Sequence, residues 1–253
     1  AALLDEVAVR HPETARFVLS GHAELEAILR AVRPAHQYFA KPCEPQRIAD
    51  ALRRVAAVRQ DPSTGPICLA LGAHRRLPSR RVSLGALDSA LARSVVCLEE
   101  ITEIVRGDIA MTVQILRVVH SAFFGLPIAT LDPARAIAVL GPDLLTKTFK
   151  NVELFRPVEN AASDGEFQLD QLHDRIEDVG KELQVSNGAC DPEIDPRVVA
   201  MLSLSGPLAA IEASGDLNDV SAKSLSRILL SYWGLDTELQ PGVSNRADLA
   251  GAA

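Results

Sequence analysis

Aromatic side chains are scarce in this sequence, and their scarcity limits what the core can be made of. Phe, Trp and Tyr make up 4% of the 253 residues, whereas apolar residues of all kinds make up 47%. Leu, Ile, Val and Ala must therefore fill the interior, which suits packed helices. A chain of this length holds one large domain or two modest ones.

Closely spaced cysteines are also lacking. The sequence contains no Cys-x-x-Cys pair and no histidine at zinc spacing from a cysteine, since its four cysteines are Cys43, Cys68, Cys97 and Cys190. We therefore expect reduced, mostly buried thiols, as in a cytoplasmic protein. We expect neither a metal ion nor another cofactor.

Positive charge is not in excess. The formal net charge is −7 and the pI is about 5.4, so no overall field favours nucleic acid or anionic lipid. A local basic cluster is formed by Arg75, Arg76, Arg80 and Arg81. Because no aromatic residues interleave with these arginines, they are typical of a solvated linker rather than a nucleic-acid site.

Long apolar runs are missing too. The longest, residues 198–211, is interrupted by Ser203, Ser205, Gly206 and Pro207 and is too short to span a bilayer. No basic-then-apolar signal sequence opens the chain. We expect a soluble, cytoplasmic protein without membrane or nucleic-acid partners.

Two short apolar strands alternate with helical patterns in the first sixty residues. Helical spacing is present over Ala1–Arg10, Ala23–Val32 and Pro45–Val58, and the strands are predicted at Ala15–Leu19 and Gln37–Ala40. This α-β-α-β-α order is typical of a sheet that is covered on both faces.

These residues resemble a known family. The stretch HPETARFVLSGHAELEAILRAV, followed by HQYFAKPCEPQRIADALRRV, is similar to the second half of a phosphorelay receiver domain, which is flavodoxin-like. In that family a Ser or Thr and the Lys of a Lys-Pro pair end neighbouring strands and contact the phosphoryl group, and an aromatic residue responds to phosphorylation. The resemblance implies these roles for Ser20, Lys41 and Tyr38, with a cis bond between Lys41 and Pro42. Ordinary strand ends of another α/β fragment are the alternative.

The acidic residues of a receiver domain have no match in this segment. The family's acidic pair and its phosphoacceptor aspartate would precede residue 1, and Asp5 and Glu6 lie in a predicted helix instead. We therefore expect residues 1–60 to be the C-terminal half of a receiver domain that, as given, neither takes a phosphoryl group nor binds Mg²⁺.

A run of breaker residues at 61–66 predicts a linker, and helical stripes follow it. Asp132-Pro133 predicts a helix start, while Gly141 and Gly234 predict helix ends. The predicted helices are Leu84–Cys97, Leu98–Val105, Ala110–Phe123, Pro133–Leu140, Leu144–Phe155 and Leu225–Trp233. The fold class expected is mainly α, a partial α/β segment followed by an all-α multi-helix bundle.

A second resemblance lies within these helices. IVRGDIAMTVQILRVVHSAFFG and DPARAIAVLG are similar to the signature of HDOD domains, relatives of HD phosphohydrolases that lack the catalytic residues. The family usually has Asp-Pro at Asp108-Ile109 and Asn-Ser-Ala at residues 120–122. The resemblance implies an HDOD-like domain at residues 67–240, with a tail at 241–253. Its signature residues here are Asp108, His120, Ser121, Gly141 and Trp233.

An enzyme and a binding module are the two main alternatives. HD enzymes carry a metal-binding His-Asp doublet where this chain has Leu202–Gly206. The doublet His173-Asp174 stands in a charge-rich helix, and we interpret it as a solvated face rather than a metal site. His120 is interpreted as a helix-end imidazole. No catalytic, cofactor-binding or metal-binding residue is therefore predicted.

These observations favour a non-catalytic output module of a bacterial two-component response regulator. The resemblance implies a histidine kinase acting on the full-length parent and a cyclase or kinase downstream, reached through protein–protein interaction. A strand edge left open in residues 1–60 further predicts a homodimer made through that segment. The alternative function is an HD-type metal-dependent phosphohydrolase, including the cyclic-dinucleotide phosphodiesterases.

Overall fold

A computed structural model describes residues 2–21, 34–60, 77–120, 130–152, 155, 157, 164–186, 195–210 and 222–235. Within these ranges the chain is mainly helical, with one small sheet. Its elements are α1 Ala2–Arg10, β1 Phe17–Ser20, β2 Gln37–Ala40, α2 Pro45–Gln60, α3 Arg81–Leu91, α4 Leu98–Arg106, α5 Ile109–His120, α6 Pro133–Val152, α7 Asp164–Ser186, α8 Pro196–Ala210 and α9 Ala222–Trp233. None of the described helices combines the length and the apolar character that a membrane crossing needs.

The two strands lie side by side and run in parallel. Phe17 is paired with Gln37 and Ser20 with Ala40, so the carboxyl ends of both strands meet at one edge of the sheet. At that edge the Lys41 amide donates to the Ser20 carbonyl at 2.8 Å. The bond between Lys41 and Pro42 is cis. The helix predicted at Ala23–Val32 lies outside the described residues.

The helices α4, α5 and α6 begin within one residue of their predicted starts. The Asp132 carboxylate accepts the Ala134 amide at 3.0 Å and caps α6, which begins at Pro133. Gly141 does break the helical path, with φ 66° and ψ 168°, but the helix resumes directly as one kinked α6. The prediction of a helix through Phe155 is wrong, since α6 ends at Val152; Phe155 packs its ring 5.0 Å from that of Phe149.

The helix predicted at Leu84–Cys97 is shorter than expected, because α3 ends at Leu91. Ser94, Val95 and Val96 follow, and these residue types have low helix propensity. Cys97 is instead the residue before α4, and its thiol is exposed. With Cys43 only half-buried, the expectation of mostly buried thiols is wrong for these two; Cys68 and Cys190 lie outside the described residues.

The helix α9 ends in a Schellman motif at Gly234, as predicted. Gly234 has φ 71°, and its amide donates to the Ser231 carbonyl while the Leu235 amide donates to the Leu230 carbonyl. The helix packs against both α8 and α2. Residues of the N-terminal segment and of the helical bundle therefore share one apolar core, which includes Tyr38 and Val55.

Candidate functional site

The helix α5 lies at the centre of the bundle. Every residue from Ile109 to Val119 is buried, because α4, α6 and α8 all pack against it. Its sequence predicts one apolar stripe, yet it also buries the polar side chains Thr112, Gln114 and Arg117. Thr112 donates from its hydroxyl to the Val105 carbonyl at 2.7 Å. Polar side chains at the two ends of α5 form the two clusters described next.

The first cluster lies at the start of α5 and consists of Arg80, Asp108, Ile109 and His173; we call it the Asp108 junction. Asp108 is fully buried. Its Oδ1 accepts the Met111 amide at 3.1 Å, which caps the helix. Its Oδ2 accepts the Arg80 amide at 3.0 Å. One carboxylate thus joins the start of α3 to the start of α5.

His173 completes the junction from α7. Its Nε2 accepts the Ile109 amide at 3.1 Å, and its Nδ1 pairs with the Leu169 carbonyl at 2.8 Å. Since an amide only donates and a carbonyl only accepts, the imidazole is neutral, with its proton on Nδ1. Burial lowers the pKa of His173, against the opposing effects of the Leu169 carbonyl and the Asp108 carboxylate.

The prediction of a solvated His173-Asp174 face is therefore wrong for His173, which is buried, and correct for Asp174, which is exposed. The reason is the helical spacing of Leu169, Leu172 and Ile176, all buried, which places residue 173 on the inner face of α7. The interpretation of Arg80 as part of a solvated linker is also wrong, since its guanidinium donates to the Gly107 carbonyl. Arg75 and Arg76 lie outside the described residues.

The second cluster lies near the end of α5 and consists of Ala35, Gln37, Arg117, Tyr232 and Trp233; we call it the Arg117 junction. The buried Arg117 donates to the Ala35 carbonyl at 2.6 Å, and its guanidinium lies 4.8 Å from the centre of the Trp233 ring. Burial, with a smaller contribution from the charge of Arg16, lowers the pKa of Arg117 to about 10, so it stays protonated at neutral pH.

The Arg117 junction connects the N-terminal segment to the bundle. Gln37, the first residue of β2, donates from its amide to the Tyr232 carbonyl at 3.0 Å. The His36 and Tyr232 rings meet edge to face, with centres 4.8 Å apart. The segment before β2 is therefore fixed to the end of α9.

The other predicted site residues lie elsewhere. His120 is half-buried at the end of α5, with its Nε2 2.9 Å from the Thr130 carbonyl, as a helix-end imidazole should be. Gly141 lies at the kink of α6, and Ser121 lies outside the described residues. Asp108 and His120 are about 18 Å apart along the helix axis, and Trp233 lies against Arg117, so the signature residues do not form one site.

Leu202–Gly206, predicted to stand where HD enzymes carry a metal-binding doublet, is used for helix packing. Leu202, Leu204 and Ser205 are buried in α8, and the Ser205 hydroxyl donates to the Leu202 carbonyl at 2.6 Å. In the described part of the chain, no three His, Cys, Asp or Glu side chains are grouped so as to hold a metal ion.

Sequence reasoning missed Arg80, Ile109 and Arg117. A signal existed for Arg117, because it is the one charged residue between Asp108 and His120 in a largely apolar helix. None existed for the Ile109–His173 bond, since its two residues are separated by 64 positions.

The helices that carry the Asp108 junction match a known domain family over residues 77–180. This stretch is an HDOD domain. The HDOD match includes Arg80, Asp108 and His173, and also Arg117, whereas Gln37 and Trp233 of the Arg117 junction lie beyond it on either side. No curated protein and no solved structure was found to match the chain.

Proposed function

We propose that this chain is a non-catalytic signalling protein whose HDOD domain acts by binding other proteins. The observation that carries the proposal is the use made of Asp108 and His173. Each of these buried side chains forms its hydrogen bonds with main-chain groups of neighbouring elements. A metal-dependent hydrolase needs such side chains free to bind a metal ion and activate water.

The alternative is an HD-type metal-dependent phosphohydrolase. His173 Nε2 lies 4.0 Å from Asp108 Oδ2, so a buried imidazole and a carboxylate do meet. His173 would have to release the Ile109 amide before it could bind a metal ion, which leaves a buried donor unpaired at a cost of about 1–3 kcal/mol. The proposal of a binding module needs no such rearrangement.

An assay separates the two. The purified chain is incubated with Mn²⁺ or Mg²⁺ and either a cyclic dinucleotide or a simple phosphodiester. We expect no turnover above that of the metal ion alone, and no stoichiometric transition metal after dialysis. Manganese-dependent turnover that disappears in His173→Ala, with the fold retained by circular dichroism, would establish the hydrolase instead.

A second experiment tests the binding module directly. Tagged chain is used to capture proteins from its native cells, and each candidate is then purified and titrated into the chain by calorimetry. We expect saturable binding of a signalling enzyme such as a cyclase or a kinase. If every candidate fails to bind pairwise and the hydrolase assay is positive, the proposal is wrong.

For the N-terminal segment, we propose the second half of a receiver domain that governs the HDOD domain in a two-component response regulator. The parallel pairing of β1 with β2 supports this, because it places Ser20 and Lys41 at the same edge of the sheet. The Arg117 junction also supports it, since its contacts would transmit a displacement of β2 directly to α5 and α9. A histidine kinase would then act on the full-length parent.

A further inference from the structure

One oxygen of the Asp108 junction has two neighbours that can donate to it. Asp108 Oδ2 accepts the Arg80 amide at 3.0 Å, and His173 Nε2 lies 4.0 Å away. At neutral pH His173 Nε2 carries no proton, because it accepts the Ile109 amide. The hydrogen bonds that Asp108 Oδ2 accepts therefore depend on whether His173 is neutral.

We propose that the Asp108 junction is a proton-operated latch, in which protonation of His173 releases the Ile109 amide and redirects Nε2 to Asp108 Oδ2, which can accept a second hydrogen bond beside that of the Arg80 amide. An imidazolium donates from both nitrogens, so a proton on Nε2 faces the Ile109 N–H directly and cannot share a bond with it. The carboxylate is the charged acceptor within reach, and a charge-assisted bond to it is stronger than a neutral one.

The Asp108 junction includes Arg80, which lies where the chain enters the HDOD domain. The Arg80 amide is the last donor before α3, and it follows the buried residues Leu77 and Ser79. The Arg80 guanidinium donates to the Gly107 carbonyl, next to Asp108. These two bonds keep the start of α3 on the start of α5, whereas loss of the Ile109 bond loosens the start of α5 from α7.

The charged groups around His173 set the direction of the switch. Asp108 and Asp170 favour the imidazolium, while Arg80 disfavours it. The helix α8, which packs on α7 and α5, has no titratable residue between Val198 and Leu208. On the α4 side, the Arg106 guanidinium is paired with Asp132 at 3.1 Å.

Burial lowers the pKa of His173 below its ordinary value of 6.5. The neutral, latched form is therefore the form present at neutral pH. The latch therefore opens only as the pH falls toward this lowered pKa, at a pH below 6.5.

Amide hydrogen exchange of the full chain, followed by NMR from about pH 7.5 to 5, tests the latch across the range where histidine titrates. Protection factors, which correct for the intrinsic pH dependence of exchange, are compared for the Arg80, Ile109 and Met111 amides. We expect the Ile109 amide to lose about tenfold in protection per pH unit as the pH falls toward the pKa of His173, because each opening takes up one proton. The Arg80 and Met111 amides, both bound to Asp108, should keep their protection.

Variants assign the effect to His173. In His173→Gln, which is neutral at every pH tested, the pH dependence at Ile109 should vanish. His11→Gln changes an exposed histidine that directly follows α1. This variant should show the same pH dependence as the unaltered chain. The latch is refuted if the dependence survives in His173→Gln, or if Arg80 or Met111 opens together with Ile109.

A measurement on the unaltered chain keeps the proposal testable even if His173→Gln does not fold. The ring ¹⁵N shifts of His173 at neutral pH should show a proton on Nδ1 and none on Nε2. A proton found on Nε2 at neutral pH overturns the proposal.

Discussion

The Ser226 hydroxyl on α9 donates to the Ser203 carbonyl on α8. In a regular helix that carbonyl would accept the amide of residue 207, but Pro207 has none. The same hydroxyl accepts the Gly206 amide at 3.1 Å. One serine therefore satisfies two main-chain groups at the proline in α8 and joins α8 to α9.

Ser226→Ala should lower the free energy of unfolding by about 1–3 kcal/mol, because it leaves buried main-chain groups unpaired. Pro207→Ala restores an amide donor for the Ser203 carbonyl. The cost of Ser226→Ala should thus be smaller in the Pro207→Ala background, by urea denaturation of all four chains. Equal losses of unfolding free energy in the two backgrounds would show that the Ser226 hydroxyl does not compensate for the amide that Pro207 lacks.

Local sequence signals correctly predicted those helix ends that depend on interactions within a few residues. Asp132-Pro133 and Gly234 each mark a helix end, because a cap or a left-handed residue acts through its immediate neighbours. The prediction for His173 is wrong because its charged neighbours indicate a solvated face, whereas the buried Leu169, Leu172 and Ile176 place it on the inner face of α7. Its bond to Ile109 could not be read from sequence, since it depends on how α7 packs against α5.

Trp233→Ala should lower the free energy of unfolding by about 3–5 kcal/mol. The side chain is 5% exposed, and its loss also removes the ring that faces the buried Arg117 charge. Because Trp233 is the sole tryptophan, unfolding is followed by circular dichroism rather than fluorescence. Trp233→Phe, which keeps an aromatic face, should cost less. A loss under about 1 kcal/mol for the alanine variant would mean that α9 is peripheral.

Gly234→Ala should destabilise the chain by about 1–2 kcal/mol, because its φ of 71° is left-handed. The added Cβ would also come within 3.0 Å of Gln37 Oε1 and so disturb the Arg117 junction. Gly85→Ala is the matched control, since this exposed residue of α3 has open space around it. That control should stabilise by about 0.5–1 kcal/mol. Thermal unfolding of both variants measures the two effects, and equal shifts of Tm would contradict this prediction.

Treatment with a small-molecule phosphodonor and Mg²⁺ should leave the intact mass of this chain unchanged. The aspartates of residues 1–60 are Asp5 and Asp50, which lie in α1 and α2 rather than after a strand. Asp50 already accepts hydrogen bonds from Gln46 and Arg53. A receiver domain treated in parallel serves as the positive control. A stable adduct on either aspartate would show that the phosphoryl site is misplaced.

The homodimer remains a prediction, and the structure sharpens its test. Among the described residues β1 pairs only with β2, and Leu19 of β1 is 46% exposed, so the predicted dimer contact is the pairing of the other edge of β1 with a second copy. Removing residues 1–60 would uncover Arg117 and Trp233, so a shortened chain is a poor probe.

Leu19→Lys places a charge on that edge instead, which opposes strand pairing. Val82→Lys on α3 is its matched control, since Val82 is 72% exposed and lies outside the N-terminal segment. By light scattering we expect dimers of the unaltered chain and of Val82→Lys, and monomers of Leu19→Lys. A monomeric unaltered chain would contradict the homodimer. A Leu19→Lys variant that still dimerises would place the dimer contact elsewhere than the β1 edge.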